Sequence, residues 1–447
     1  MYSAYTAEEG EKVWNAFKEM KAYMEKSFLV IKGVEEGDFY LTQKNRKIYD
    51  GVSTLLNSNV GHKNPRIIKA ISDQLNILDN TTLFTSTSNT AIEYAKKLCG
   101  LTKNHFYSCF FTNSGSEACD TAIKIVRKYR YNDGTGKYGI VSLRGAYHGS
   151  SIGAMLLSQT AYDKNKYFID MDGFYQISAP EESKCPDILN QEEWIDFCIN
   201  EYERLISDEG KKIGAVFLEL VQLSNAVNIL PVRYVRELCR ISRENDILVV
   251  IDEVATGFGR TGEMFASEYY GIWGDLMMVA KGISSGYIPM GGVLVTEGVF
   301  RSFWGDDRLT LEHGFTTSGH PVACAAAIEN LTQIIDNNMV ANSRKQGAYL
   351  KNLLQTELGQ SKLIKEIRGI GLMLAIIFDD VALLGMEEWG IADIISRFLI
   401  NNGLLLYPDD SNTLIIAPPL NVTVDACDYI VKQLKNCINK AEHCIRK

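Results

Sequence analysis

The stretch DILVVIDEVATGFGRTGEMFASEYYGIWGDLMMVAKG, residues 246–282, decides the fold. It opens and closes on a short apolar run, and each run ends at charge: Asp252 and Glu253 after the first, Lys281 after the second. Runs that are nearly continuous in hydrophobicity, rather than alternating, belong to strands covered on both faces. The rhythm recurs outward in FYSCFFT (106–112), YGIVSL (138–143), IGAVFLEL (213–220) and MGGVLVTEG (290–298), with amphipathic helical stretches between. Strands alternating with helices predict an α/β domain on a mostly parallel sheet. Beyond residue 330 the pattern changes. A helix near 322–357 leads to GLMLAIIF (371–378), GLLLYP (403–408) and TLIIAPPL (413–420), and a last amphipathic helix covers roughly 423–446. That reads as a smaller α+β unit. At the other end Thr6 and Glu9 fit a capping box, and DFYLTQKNRKIYDG (38–51) alternates like an antiparallel ribbon. The expected organisation is an N-terminal segment 1–60 belonging to the small domain, a large domain 61–325 and a C-terminal small domain 326–447.

Composition narrows the function. A length of 447 residues suits two or three packed domains, and 46% apolar with 23% charged residues argues against wholesale disorder. The 55 acidic against 46 basic residues leave a charge of −9, which repels phosphate backbones and disfavours nucleic-acid binding. No basic-then-apolar leader opens the chain, and no apolar run approaches the ~18 residues of a membrane span. Ten cysteines are scattered without a CxxC pair, as reduced thiols of a cytoplasmic protein would be.

Two strings imitate chemistry. GFGRTG (257–262) matches the letters of a dinucleotide fingerprint, but DEVAT separates it from its apolar run and no acidic residue stands at 282. GxSxG occurs at 149–153 and 282–286, but of the histidines downstream of Ser284, His313, His320 and His443, none stands out as the partner a serine hydrolase requires, and a Gly/Ser turn is the expected reading. The six histidines show no metal spacing, so no metal is expected.

Four features at strand ends fit together instead. Gly115 and Ser116, in FFTNSGSEACD, open a helix with bare backbone N–H groups suited to phosphate. Tyr147 follows YGIVSL and offers a ring at the same edge. Asp252 is a carboxylate at the mouth of a buried sheet, and Lys281 is an amine that desolvation makes nucleophilic. Taken singly these also read as an N-cap turn, a packed aromatic, a turn cap and a snorkelling lysine. Taken together they are the parts pyridoxal phosphate requires: a Schiff-base lysine, an acid for the pyridine nitrogen, a phosphate cradle and a flat neighbour.

On the motifs FTNSGSEACD, YHGS, DEVATGFGRTGEMF, AKGISSGYIPMGG and HGFTTSGHPVACAA, the chain from about Asp50 to APPL (417–420) resembles the class III (omega-type) aminotransferases of fold-type I. That resemblance implies a seven-stranded large domain and Lys281 as the lysine that carries the cofactor. It makes Asp252 the partner of the pyridine nitrogen and Gly115 and Ser116 the phosphate ligands. Tyr147 and Val254 would lie on the two faces of the ring, with Glu219 and Gln222 near its hydroxyl side. It also implies a homodimer in which Phe315 and Thr316 reach the phosphate of the neighbouring subunit.

The chain departs from the family where substrate is held. Where relatives read EPIQG it reads Glu219-Leu220-Val221-Gln222-Leu223, and Ile415 and Pro408 stand where relatives that use amino acids carry an arginine. Neither can grip a carboxylate bidentately. Arg368 is present, but reads as readily as a structural arginine as a ligand. Leu56 replaces a common Trp, Asn57 follows, and Tyr407 adjoins Pro408, so Leu56, Asn57 and Tyr407 are expected at a roomier, more polar substrate entrance. The expected reaction moves an amino group from a donor such as glutamate to an aldehyde or ketone without a carboxylate, for instance an oxidised amino sugar of antibiotic biosynthesis. A diamine or omega-amino acid transaminase, and a lyase or decarboxylase on the same fold, are the alternatives. A non-catalytic binding protein would have no need of Lys281 and Asp252.

Overall fold

The computed structural model describes residues 6–26, 29–35, 38–158, 167, 171–379, 390–409 and 411–443. At its centre seven strands run in the order Ser108–Thr112, Gly291–Val295, Leu276–Val279, Leu248–Asp252, Ile213–Glu219, Gly139–Leu143, Phe174–Ile177. Neighbours pair in parallel except Gly291–Val295, which is antiparallel to both of its partners. One strand shows why its run is apolar throughout. Leu248 and Val250 pack with the helix Gly115–Asn132, while Val249 and Ile251 pack with the helices Gln191–Glu209 and Val232–Glu244 on the other face. Burial of each such side chain contributes about 1.5–3 kcal/mol.

Register then sets the site. Asp252 pairs with Glu219 on one side and with Met278 on the other. Two carboxylates and, just past Met278, Lys281 therefore leave the sheet together at the carboxyl edge of its parallel strands, where open α/β sheets hold ligands.

An antiparallel sheet of Ile364–Ile370, Met373–Phe378, Thr413–Ile416 and Tyr407–Asp409 packs with the helices Met339–Leu358, Ile391–Asn401 and Val424–Glu442. The ribbon Ile31–Glu35, Phe39–Thr42, Lys47–Asp50 is antiparallel as its alternation predicts, and its last strand pairs with Leu404–Leu405, so the two ends of the chain share one sheet.

Three elements differ from the sequence reading. The edge strand Phe174–Ile177 was absent from it: the run FYQI is short and carries a glutamine. The helix expected over 322–357 is two helices, Pro321–Asp336 and Met339–Leu358, because Asn338 takes a left-handed φ of 50° between them. The Thr6–Glu9 box forms, with Thr6 N donating to Glu9 Oε2 at 2.7 Å, but the helix it caps is the single turn Ala7–Gly10. All nine described cysteines are free thiols, and among the described residues no metal-binding cluster and no membrane-spanning helix is found.

Candidate active site

A cavity of about 410 Å³ opens at the carboxyl edge of the sheet, and Lys281, Asp252, Glu219, Tyr147, Gly115 and Ser116 all line it. Asp252 is 3% exposed. Its Oδ1 accepts from Val254 N at 2.9 Å, and its Oδ2 lies 2.7 Å from His148 Nδ1. The opposite nitrogen of that ring, His148 Nε2, is buried without a hydrogen-bond partner. Glu219, one strand over, accepts from Tyr147 N at 2.9 Å and Leu223 N at 3.0 Å. Burial pushes its carboxyl up to about 7, and the charge of Asp252 adds to the rise. Lys281 begins a short turn with a left-handed φ of 44°, a strained backbone that aims its amine into the cavity. Desolvation pulls that amine below the usual lysine range against the attraction of Asp252 and Glu219, and the cation Arg260 pulls the same way as desolvation.

The opposite end of the cavity is the start of the helix Gly115–Asn132, where the first N–H groups have no intrahelical acceptor. It is a tight cradle. A Cβ on Gly115 would meet Val254 Cγ1 at 3.0 Å, and one on Gly149 would meet Ser116 Oγ at 2.6 Å. Ser150 N donates to Ser116 Oγ at 2.9 Å, tying the turn after Gly139–Leu143 to the helix start. An amine of lowered pKa, a buried acid backed by an imidazole, and a helix N-terminus in one cavity are a donor set that fits pyridoxal phosphate.

A family model described as aminotransferase class III matches residues 21–438. The chain belongs to the class III aminotransferases. Members of this family depend on pyridoxal phosphate, and the chain is an enzyme of that kind. It is 30% identical to the putrescine–pyruvate aminotransferase of Pseudomonas aeruginosa over 95% of its own length and 93% of that protein. With the adenosylmethionine-8-amino-7-oxononanoate aminotransferase of Anoxybacillus flavithermus it shares 31% identity over 81% of this chain and 80% of the other. The crystal structure of an (S)-enantioselective omega-transaminase from Thermomicrobium roseum superposes with a TM-score of 0.91 at 29% identity, covering 99% of each chain. Fold-type I is therefore the fold.

In this class III aminotransferase, Lys281, Asp252, Glu219, Tyr147, Val254, Gly115, Ser116 and Asn57 converge on the cavity. Leu56 does not. It is 1% exposed and packs with Val52, Met373 and Ile415, while Thr54 and Leu55 line the cavity in its stead. The reason is backbone. Ser53, Thr54, Leu55 and Leu56 all have φ between 50° and 65°, a left-handed turn that costs non-glycine residues about 1–2 kcal/mol each and points side chains where neither helix nor strand would. Tyr407 lies on the edge strand Tyr407–Asp409 and is not among the lining residues. Phe315 and Thr316 also lie outside this cavity. Phe315 packs edge-on against His313 at 4.9 Å and lines a separate cleft. Gln222 is structural, its Nε2 donating to Arg144 O at 3.0 Å. So is Arg368, which donates to Ala226 O at 2.6 Å and Asn225 O at 3.1 Å. The residues missed from sequence are His148, Thr54 and Leu55. His148 had a signal, since it follows Tyr147 in the strand-end turn; the other two had none.

Proposed function

We propose that this enzyme exchanges an amino group between an amine bearing no carboxylate at the reacting end, or the aldehyde that corresponds to it, and an amino acid–oxo acid couple. The observation that carries this is the cavity's lining: among the described residues Lys281 is its only lysine or arginine. Ile415, where relatives carry an arginine, is 2% exposed inside the apolar cluster around Leu56, and so offers a substrate carboxylate nothing. A diamine such as putrescine is the favoured amine, supported by the putrescine–pyruvate relative, and an oxidised amino sugar presents the same uncharged reacting carbon.

When bound, pyridoxal phosphate supplies an aldehyde for the amino group and a ring that withdraws electrons from the bond being broken. The chain's residues do the rest. Lys281 Nζ would hold the cofactor and, freed when the substrate amine takes its place, would with its pKa lowered take the proton from the amine-bearing carbon of the substrate. Asp252, oriented by His148 Nδ1 and Val254 N, would keep a proton on the ring nitrogen. Gly115 and Ser116 would hold the phosphate, while Tyr147 and Val254 would enclose the ring. Glu219, fixed by the amides of Tyr147 and Leu223, would border the ring hydroxyl. Phe315 and Thr316, outside their own cavity, would serve the phosphate of the second subunit of a homodimer.

The test is an absorbance titration of the holoenzyme with putrescine, a 6-amino sugar, L-alanine and L-glutamate in turn. The expected result is conversion of the cofactor to its amine form at lower concentration by the first two. Conversion by either amino acid at lower concentration than by putrescine and the amino sugar would overturn the substrate reading.

A further inference from the structure

We infer that Asp50, a residue away from the reacting atoms, is the positioning residue that holds the substrate wall of the cavity in shape. The wall is the left-handed turn Ser53–Leu56, whose Thr54 and Leu55 line the cavity together with Asn57. Four consecutive non-glycine residues with positive φ do not persist unless their surroundings over-determine them. Asp50 is what over-determines them. Its carboxylate is fully buried. Oδ2 accepts from Thr54 N at 2.8 Å, Tyr40 OH at 2.8 Å and Thr54 Oγ1 at 3.2 Å, with His62 Nε2 at 3.0 Å; Oδ1 accepts from Val52 N at 3.3 Å. A buried carboxylate is stable only with such donors, and here two are backbone amides, one from Thr54 within the turn and one from Val52 just before it. Tyr40 closes the ring of contacts, its hydroxyl lying 2.6 Å from Thr54 Oγ1.

The start of the turn and the chain beyond it are tied separately. Ser53 Oγ donates to Ala417 O at 2.5 Å, and Asn59 Oδ1 accepts from Arg260 Nη2 at 2.6 Å. Asp50 therefore governs the Thr54–Leu55 side of the wall. Since Asp50 and Tyr40 do not line the cavity, they would set which amine fits without touching it. This deepens the substrate reading above and rests on it.

The test uses the holoenzymes of wild type, Tyr40→Phe and Asp50→Asn. Each substitution weakens the contact at Asp50 while keeping side-chain shape, and Tyr40→Phe guards against loss of folding in Asp50→Asn. Two readouts are taken: kcat and KM for putrescine against benzylamine, and hydrogen exchange of the segment 50–60. The expected result is at least tenfold faster exchange confined to that segment. With it, kcat/KM for one amine relative to the other changes by ten-fold or more, carried by KM, and the cofactor's absorbance spectrum and its pH titration are unaltered. Unchanged exchange, or equal losses for both amines accompanied by a spectral shift, would overturn the assignment. If neither amine is turned over by wild type, the substrate reading fails alone, and the exchange measurement still decides the role of Asp50.

Discussion

Glu219 shows how a single buried carboxylate reports on its surroundings. Its ordinary value is 4.5, and burial beside Asp252 raises it to about 7. Between those two values the folded protein keeps a proton that the unfolded chain has released, so the apoprotein loses stability as pH rises from about 4.5 through 7. The loss is on the order of 3 kcal/mol. In Glu219→Gln this slope disappears, which urea unfolding at several pH values measures. The variant also sets an amide N–H against the N–H of Tyr147 or Leu223, at a pH-independent cost of about 1–3 kcal/mol, so the slope rather than the absolute stability is decisive. Leu55 and Leu56 make a second residue-scale contrast. Leu56→Ala removes a fully packed side chain and lowers stability by about 2–5 kcal/mol. Leu55→Ala lowers it by under about 1 kcal/mol but changes the ratio of kcat/KM between bulky and slender amines. Thermal unfolding and steady-state kinetics on the pair check this; a reversed order would mean that Leu56, not Leu55, faces the substrate.

At the scale of the element, the cradle depends on two pieces of chain that approach too closely for a side chain. Gly149 has φ 137°, and its hydrogen points at Ser116 Oγ. Gly149→Ala both strains the backbone and pushes the turn off the start of the helix Gly115–Asn132. We expect a stability loss of about 1–3 kcal/mol and at least tenfold weaker uptake of pyridoxal phosphate by the apoprotein, read by absorbance titration. The same elements show what the sequence could reveal. Lys281 and Asp252 were legible because a charge after an apolar strand is conspicuous, and parallel pairing carries every such charge to one edge. Phe174–Ile177 was not legible, because an edge strand of four residues containing Gln176 lacks the continuous hydrophobicity of its neighbours. Leu55 was not legible either, since the sign of φ in Ser53–Leu56 is imposed by Asp50 and Tyr40 through tertiary contacts rather than by local propensity.

At the scale of the whole molecule, the GFGRTG segment has a use unrelated to nucleotides. Arg260, fully buried, joins three distant parts of the chain. Nη1 donates to Leu372 O at 3.2 Å and Pro418 O at 2.5 Å, Nη2 to Asn59 Oδ1 at 2.6 Å, and Leu372 N donates back to Arg260 O at 3.0 Å. Its hydrogen bonds go to uncharged acceptors, so its positive charge is felt at Lys281, where it adds to the lowering of the amine's pKa that desolvation begins. Arg260→Met separates the two roles. Three acceptors lose their donors at about 1–3 kcal/mol each, partly offset because no cation need be desolvated, so thermal stability falls. Independently, the pKa of Lys281 rises. Competitive labelling of the apoprotein with an amine-acylating reagent, followed by mass spectrometry of the Lys281 peptide, reads that change as a labelling midpoint moved to higher pH. Arg260→Lys keeps the charge without the planar fork, so it should lose stability yet hold the midpoint. A midpoint unmoved in both variants would leave Arg260 a fastener of the three chain segments with no electrostatic part in setting the amine.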